Sequence, residues 1–153
     1  MKRVIAVPVL VIAALVLTSS SSGAIGNEAA GKQYLKDVAS ANAALETFGS
    51  EIDAWTNATS DSEGQRQAAS ALAALVTLRK NFLSQTWPRS VEGRVRYIGE
   101  EDISLLEENL RMIGYTALGN GTFQFAFGAI SKTLDSDAFY VRKDLGLPRS
   151  RAL

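Results

Sequence analysis

The sequence predicts an all-α protein, an up-down four-helix bundle with a break in its third or fourth helix, and three observations carry that prediction. Apolar residues recur at steps of three and four through four successive segments, the spacing of one helix face. The runs between them are short and polar, built from Gly, Asn, Asp and Ser. No stretch alternates at period two for long enough to make a strand. The chain also holds only 3 prolines in 153 residues, whereas the strong helix formers alanine and leucine are abundant.

The first segment spans Lys32 to Trp55, with a stripe of Tyr34, Val38, Ala41, Leu45, Phe48, Ile52 and Trp55. At 1.5 Å per residue it is roughly 36 Å long. Residues 56–64 form a polar loop that ends in helix-capping residues. The second segment starts near Asp61 or Ser62 and runs to Trp87, with Ala68, Leu72, Leu75, Leu78 (or Arg79 at the edge) and Phe82 as its stripe and Ala71, Val76 and Leu83 widening it. Pro88 stops it, because the residue before proline resists the helical region, and the same proline suits the first turn of the next helix.

The third segment runs from about Arg89 to Leu118. Val91, Val95 and Ile98 lead to Ile103, Leu106, Leu110, Ile113 and Ala117. The step from 98 to 103 is five, so a kink, bulge or break is expected around Gly99. Gly119-Asn120-Gly121 reads as a turn. The fourth segment starts near Thr122 and carries Phe123, Ala126 or Phe127, Ile130, Leu134, Ala138, Val141 and Leu145, with a cap and potential break at Asp135-Ser136-Asp137. Gly146-Leu147-Pro148 supplies a left-handed residue, a closing apolar contact and a stop.

Ahead of the bundle, Lys2 and Arg3 precede an uncharged apolar run from Val4 to Leu17 and a small, polar stretch to Ala24. This pattern is that of a secretory signal peptide cleaved after Ala24. The run is shorter than the roughly 17–25 residues a membrane-crossing helix needs; retention as an anchor is the alternative. The expected organisation is a signal peptide over 1–24, a flexible stretch over 25–31, a bundle domain over 32–148 and a frayed tail over 149–153.

Three local patterns, Gln33-Tyr34-Leu35 with Ala41-Asn42-Ala43-Ala44-Leu45, the Trp87-Pro88 junction, and Val141-Arg142 with Leu145-Gly146-Leu147-Pro148, resemble a group of small exported or lipid-anchored helical proteins of actinobacteria. The resemblance spans residues 30 to 148. It implies an envelope location and no particular activity, and it transfers no functional residue. The chain departs from the lipid-anchored members in lacking the anchor cysteine.

Composition bounds the chemistry. Lys+Arg and Asp+Glu both number 16, so no overall charge draws the chain to nucleic acid. Without cysteine there are no disulfides and no thiolate chemistry. Without histidine, the Glu-x-x-His pairs of di-metal carboxylate bundles and any Ser–His couple cannot be built. Glu100-Glu101-Asp102 and Glu107-Glu108 lack the loop of an EF-hand and read as a solvated acidic face. No catalytic, cofactor-binding or metal residue is therefore assigned, and no cofactor is expected.

Two features suggest contact with a partner. Arg89, Arg94 and Arg96 cluster as a candidate patch for an anionic envelope polymer, head group or acidic partner. The competing reading pairs them internally, with the acidic first segment and through Arg96–Glu100 at i,i+4. Residues 28–63 hold seven acids and two bases, and 64–99 one acid and six bases, which favours such pairing. Phe123, Phe125 and Phe127 cannot all face inward, so Phe125 is expected to be exposed. Trp55 and Trp87 are expected to close the ends of the core. The leading expectation is a non-enzymatic, extracytoplasmic binding or scaffolding module of the cell envelope, exported by its signal peptide. A carrier of a small apolar ligand between helices comes second, and a serine- or carboxylate-based hydrolase third.

Overall fold

Spacing at three and four becomes helix nearly everywhere the sequence carries it. The computed structural model describes residues 24–54, 61–114 and 121–148. The expected signal peptide up to residue 23, Trp55, the end of the third segment at Ala117 and Leu118, and the Gly119-Asn120 part of the turn lie outside the described residues, as does the tail over 149–153. Helix α1 is Ala24–Ala54, α2 is Asp61–Ser84 and α3 is Glu92–Tyr97. A π-turn over Ile98–Asp102 joins α3 to α4, Ile103–Arg111, which closes in a 3-10 turn at Met112–Gly114. Helix α5 is Gly121–Asp144. Counting α3, the π-turn and α4 as one rod, the molecule is an all-α bundle of four helices, and no strand occurs among the described residues.

Neighbours run antiparallel. Asp37 of α1 meets Asn81 and Gln85 of α2, and Arg79 of α2 meets Glu107 of α4. Arg94 of α3 meets Asp137 of α5. At one end of the α1–α5 seam Gly31 lies under Leu147; at the other, Phe48 contacts Phe123 and Phe127 edge-on. Two aromatic clusters close the core. Tyr34 stacks on Phe82 at 5.6 Å between centroids, and Trp87 stands edge-on to both. Offset and edge-to-face rings of this kind stabilise beyond the area they bury.

The inner stripes match the sequence closely. Tyr34, Val38, Ala41 and Phe48 are buried on α1, and Leu45 and Ile52 pack against them. Tyr34 is fully buried, whereas its neighbour Leu35 faces out. Val76 differs: expected to widen the α2 stripe, it is exposed.

Several boundaries also differ. Residues 25–31, expected to be flexible, belong to α1. Lys32 reaches back to Glu28 at 2.7 Å, and Gly31 is pressed by the end of α5. Helix α2 stops at Ser84 instead of Trp87. The reason is Trp87 itself, whose indole N–H donates to the Phe82 carbonyl at 3.0 Å and satisfies a helix-end acceptor. Pro88 does not open the next helix. Its carbonyl receives the N–H groups of Val91 and Glu92, and α3 begins only at Glu92.

The step of five proves to be the π-turn, which absorbs one extra residue without breaking the rod. It keeps Val95 and Ile98 in line with Ile103 and Leu106, all four buried. Gly99 makes this approach feasible: a Cβ there would meet Leu83 Cδ2 at 3.0 Å. The fourth helix, by contrast, runs unbroken through Asp135-Ser136-Asp137. Its end follows the sequence reading. Gly146 has φ +71°, and the Leu147 N–H reaches the Arg142 carbonyl at 2.9 Å while the Gly146 N–H reaches that of Lys143.

Candidate functional site

The π-turn also carries a buried acid, Asp102. Four residues after Ile98, Asp102 shares the inward side of the rod. It lies beside Ile103 in the π-turn and is 3 % exposed. Glu107 is likewise interior, 1 % exposed. The expected solvated acidic face is thus corrected: Glu100, Glu101 and Glu108 face water, while Asp102 and Glu107 do not.

The two buried carboxyls have different company. Glu107 Oε2 accepts from Arg111 at 3.0 Å and lies 3.6 Å from Arg79. Asp102 faces Asp137 of α5, and its Oδ2 has no donor. Burial first, then the Asp137 charge and hydrogen bond, then Glu101, push the Asp102 carboxyl up to about 6. Asp137 in turn accepts from Arg94 at 3.2 Å, and the Arg94 guanidinium lies over the Tyr140 ring at 4.7 Å. Asp137 therefore works across the helix interface, which corrects its reading as a cap. Elsewhere in the core the Tyr34 hydroxyl is buried with no partner, and burial pushes it well above the ordinary phenol range. Arg142, 6 % exposed, donates from Nε to the Pro148 carbonyl, and desolvation draws it below its usual value.

The arginine patch is divided among different tasks. Arg89 is exposed in the turn before α3. Arg94 is half-buried and committed to Asp137. Arg96 lies 3.5 Å from Glu100 at i,i+4, the local pairing the sequence suggested. The expected attraction between the acidic first helix and the basic segment is present at the surface, where the Glu51 charge of α1 acts on Arg66 of α2, but it does not reach the buried seam. Where α1 meets α2, the buried acid Asp37 accepts from three uncharged amides instead, Gln33, Asn81 and Gln85. Amides satisfy the carboxylate without a second charge having to be desolvated.

Phe125 is 80 % exposed, flanked by the inward Phe123 and Phe127. It is not alone. Tyr97, Leu105 and Met112 are each about half exposed. Their steps of eight and seven differ by the one residue that the π-turn absorbs, so the three share one ridge along the α3–α4 rod. Sequence reading missed this ridge, although the same slip that signalled the turn would have located it. Trp87 is buried against Tyr34 and Phe82 and does close one end of the core.

Between α2 and α4 a shallow groove of about 480 Å³ is lined by Ala68, Leu72, Leu110 and Ile113, with Gln65 and Arg111 on it. Among the described residues no group of three acidic side chains is placed to hold a metal ion. No helix among them is long and apolar enough to cross a membrane. The class defined by fold and site is thus an all-α bundle with a buried carboxyl pair at a π-turn and an outward apolar ridge. Comparison of the chain with protein-family models, curated proteins and solved structures finds no match.

Proposed function

We propose that the chain is a non-enzymatic helical module of the cell envelope, exported by its N-terminal segment, that binds or scaffolds a partner through its outer surface. The observation that carries this reading is the ridge of Tyr97, Leu105 and Met112, with Phe125 on α5, on a protein whose inner stripes are otherwise well covered. Large apolar side chains held outward along one rod suit contact with another apolar face. The ion-paired Arg94 and Arg96 favour a docking role for that ridge over one for a free basic patch.

The test is cross-linking of the tagged chain in its native envelope, alongside a Leu105→Asp, Met112→Asp variant. Both positions are half exposed, so the variant should keep its helical spectrum and melting temperature. A cross-linked partner captured by the wild type and lost from the folded variant supports the proposal. Equal capture by both, or none by either, contradicts it.

The groove between α2 and α4 favours a second reading, a carrier of a small apolar molecule. Native mass spectrometry of protein purified from its source separates the two. A ligand-loaded mass is expected of a carrier, and a single clean chain mass of a docking module.

A further inference from the structure

Two carboxyl groups can hydrogen-bond to each other only through a shared proton, because an ionised carboxylate has nothing to donate. Asp102, 3 % exposed with an Oδ2 that no donor reaches, has the Asp137 carboxyl of α5 as its neighbour. We propose that Asp102 and Asp137 form a one-proton site that clasps α5 to the π-turn, tightening the bundle in mild acid and loosening it toward neutral pH. The proposal concerns the bundle's own stability and does not depend on the binding role.

Every element packed around the pair brings its own charged or polar groups. From α3, Arg94 is engaged by Asp137. The π-turn adds Glu101, which opposes ionisation of Asp102, and Glu100, which is exposed and paired with Arg96. Helix α5 adds Asp137 and Tyr140, the latter covered by Arg94. Helix α2 presents Phe82 and Leu83 to the turn at Gly99, while its Arg79 goes to Glu107 and its Lys80 is exposed. Helix α4 supplies Glu107, held by Arg111 and Arg79. No cation is therefore committed to Asp102. Once it ionises, a 3 % exposed carboxylate with an oxygen lacking any donor stands beside a second carboxylate.

The sign follows directly. Asp102 binds its proton more tightly folded than unfolded, since the folded value is raised from 3.8 to about 6. Its contribution to stability is complete below the unfolded value and is lost as pH rises through the folded one, a window of about 4 to 6. Glu28 and Glu63, held below the ordinary glutamate value by Lys32 and Arg66, act at more acid pH and with opposite sign.

The test is unfolding of the full chain by heat and urea between pH 4.5 and 7.5, for wild type, Asp102→Asn and Asp137→Asn. The wild type should lose stability as pH rises to about 6.5, its unfolding constant growing by up to about tenfold per pH unit, and then level off. Asp102→Asn supplies a permanent donor toward Asp137 and should flatten that profile, unfolding less readily than wild type at pH 7.5. Asp137→Asn should shrink the slope, because burial of Asp102 persists but the second charge is gone. A wild-type profile that is flat or rising over this window overturns the proposal, even if a variant fails to fold. So does an Asp102→Asn or Asp137→Asn profile with the wild-type slope.

Discussion

Where α1 meets α2, the Asp37 carboxylate leaves solvent and is met by Gln33, Asn81 and Gln85 at 2.9 to 3.1 Å. Where the π-turn meets α5, the Asp102 carboxyl leaves solvent as well and meets only Asp137. Depth of burial does not separate them, since they are 9 % and 3 % exposed. What separates them is the supply of donors. A carboxylate with neutral N–H groups around it is a fixed polar rivet. One without them becomes a place where a proton binds. The bundle thus has one seam fastened independently of that proton and another whose fastening depends on it.

Breaking the part common to both seams should cost most. Phe82 stacks on Tyr34 near the first seam, is edge-on to Trp87, and lies against Gly99 in the π-turn. Phe82→Ala should destabilise by about 3–5 kcal/mol, measured by urea unfolding at a single pH. Disturbing only the amide-fastened seam costs less. Asp37→Ala leaves three amides without their acceptor and should cost about 1–3 kcal/mol, read from urea unfolding at pH 7.5. The proton-fastened seam should answer with the opposite sign. Asp102→Asn should stabilise by about 1–2 kcal/mol at pH 7.5 and by much less at pH 4.5, read from the same urea curves. Smallest is a change that touches neither carboxyl. Gly146→Ala puts a Cβ at φ +71° and should lower stability by about 1 kcal/mol without altering the pH profile.

How much of this was legible in the sequence depends on the kind of interaction. The buried stripes were legible because helix spacing and burial are the same pattern, and the step of five from Ile98 to Ile103 announced the π-turn. The end of α5 was legible because Gly146, Leu147 and Pro148 each have one strong local reason to be there. The end of α2 was not: a tryptophan folding back onto the Phe82 carbonyl is a contact between side chain and backbone that no periodicity encodes. The unbroken course of α5 was hidden for a related reason. Asp137 resembles a capping residue in sequence, and only the position of Arg94 on another helix reveals its use. The acid pair depends on how the π-turn and α5 face each other in space, and charge counts along a chain do not carry that.

Residue-level titration of the carboxyl carbons by NMR tests the central claim most directly, because it reads Asp102 itself rather than its effect on the fold. The account predicts a midpoint near 6 for Asp102 in the folded chain, with the amide protons of the π-turn and of Asp137 shifting over the same range. A midpoint near 4, as for an ordinary exposed aspartate, would contradict it.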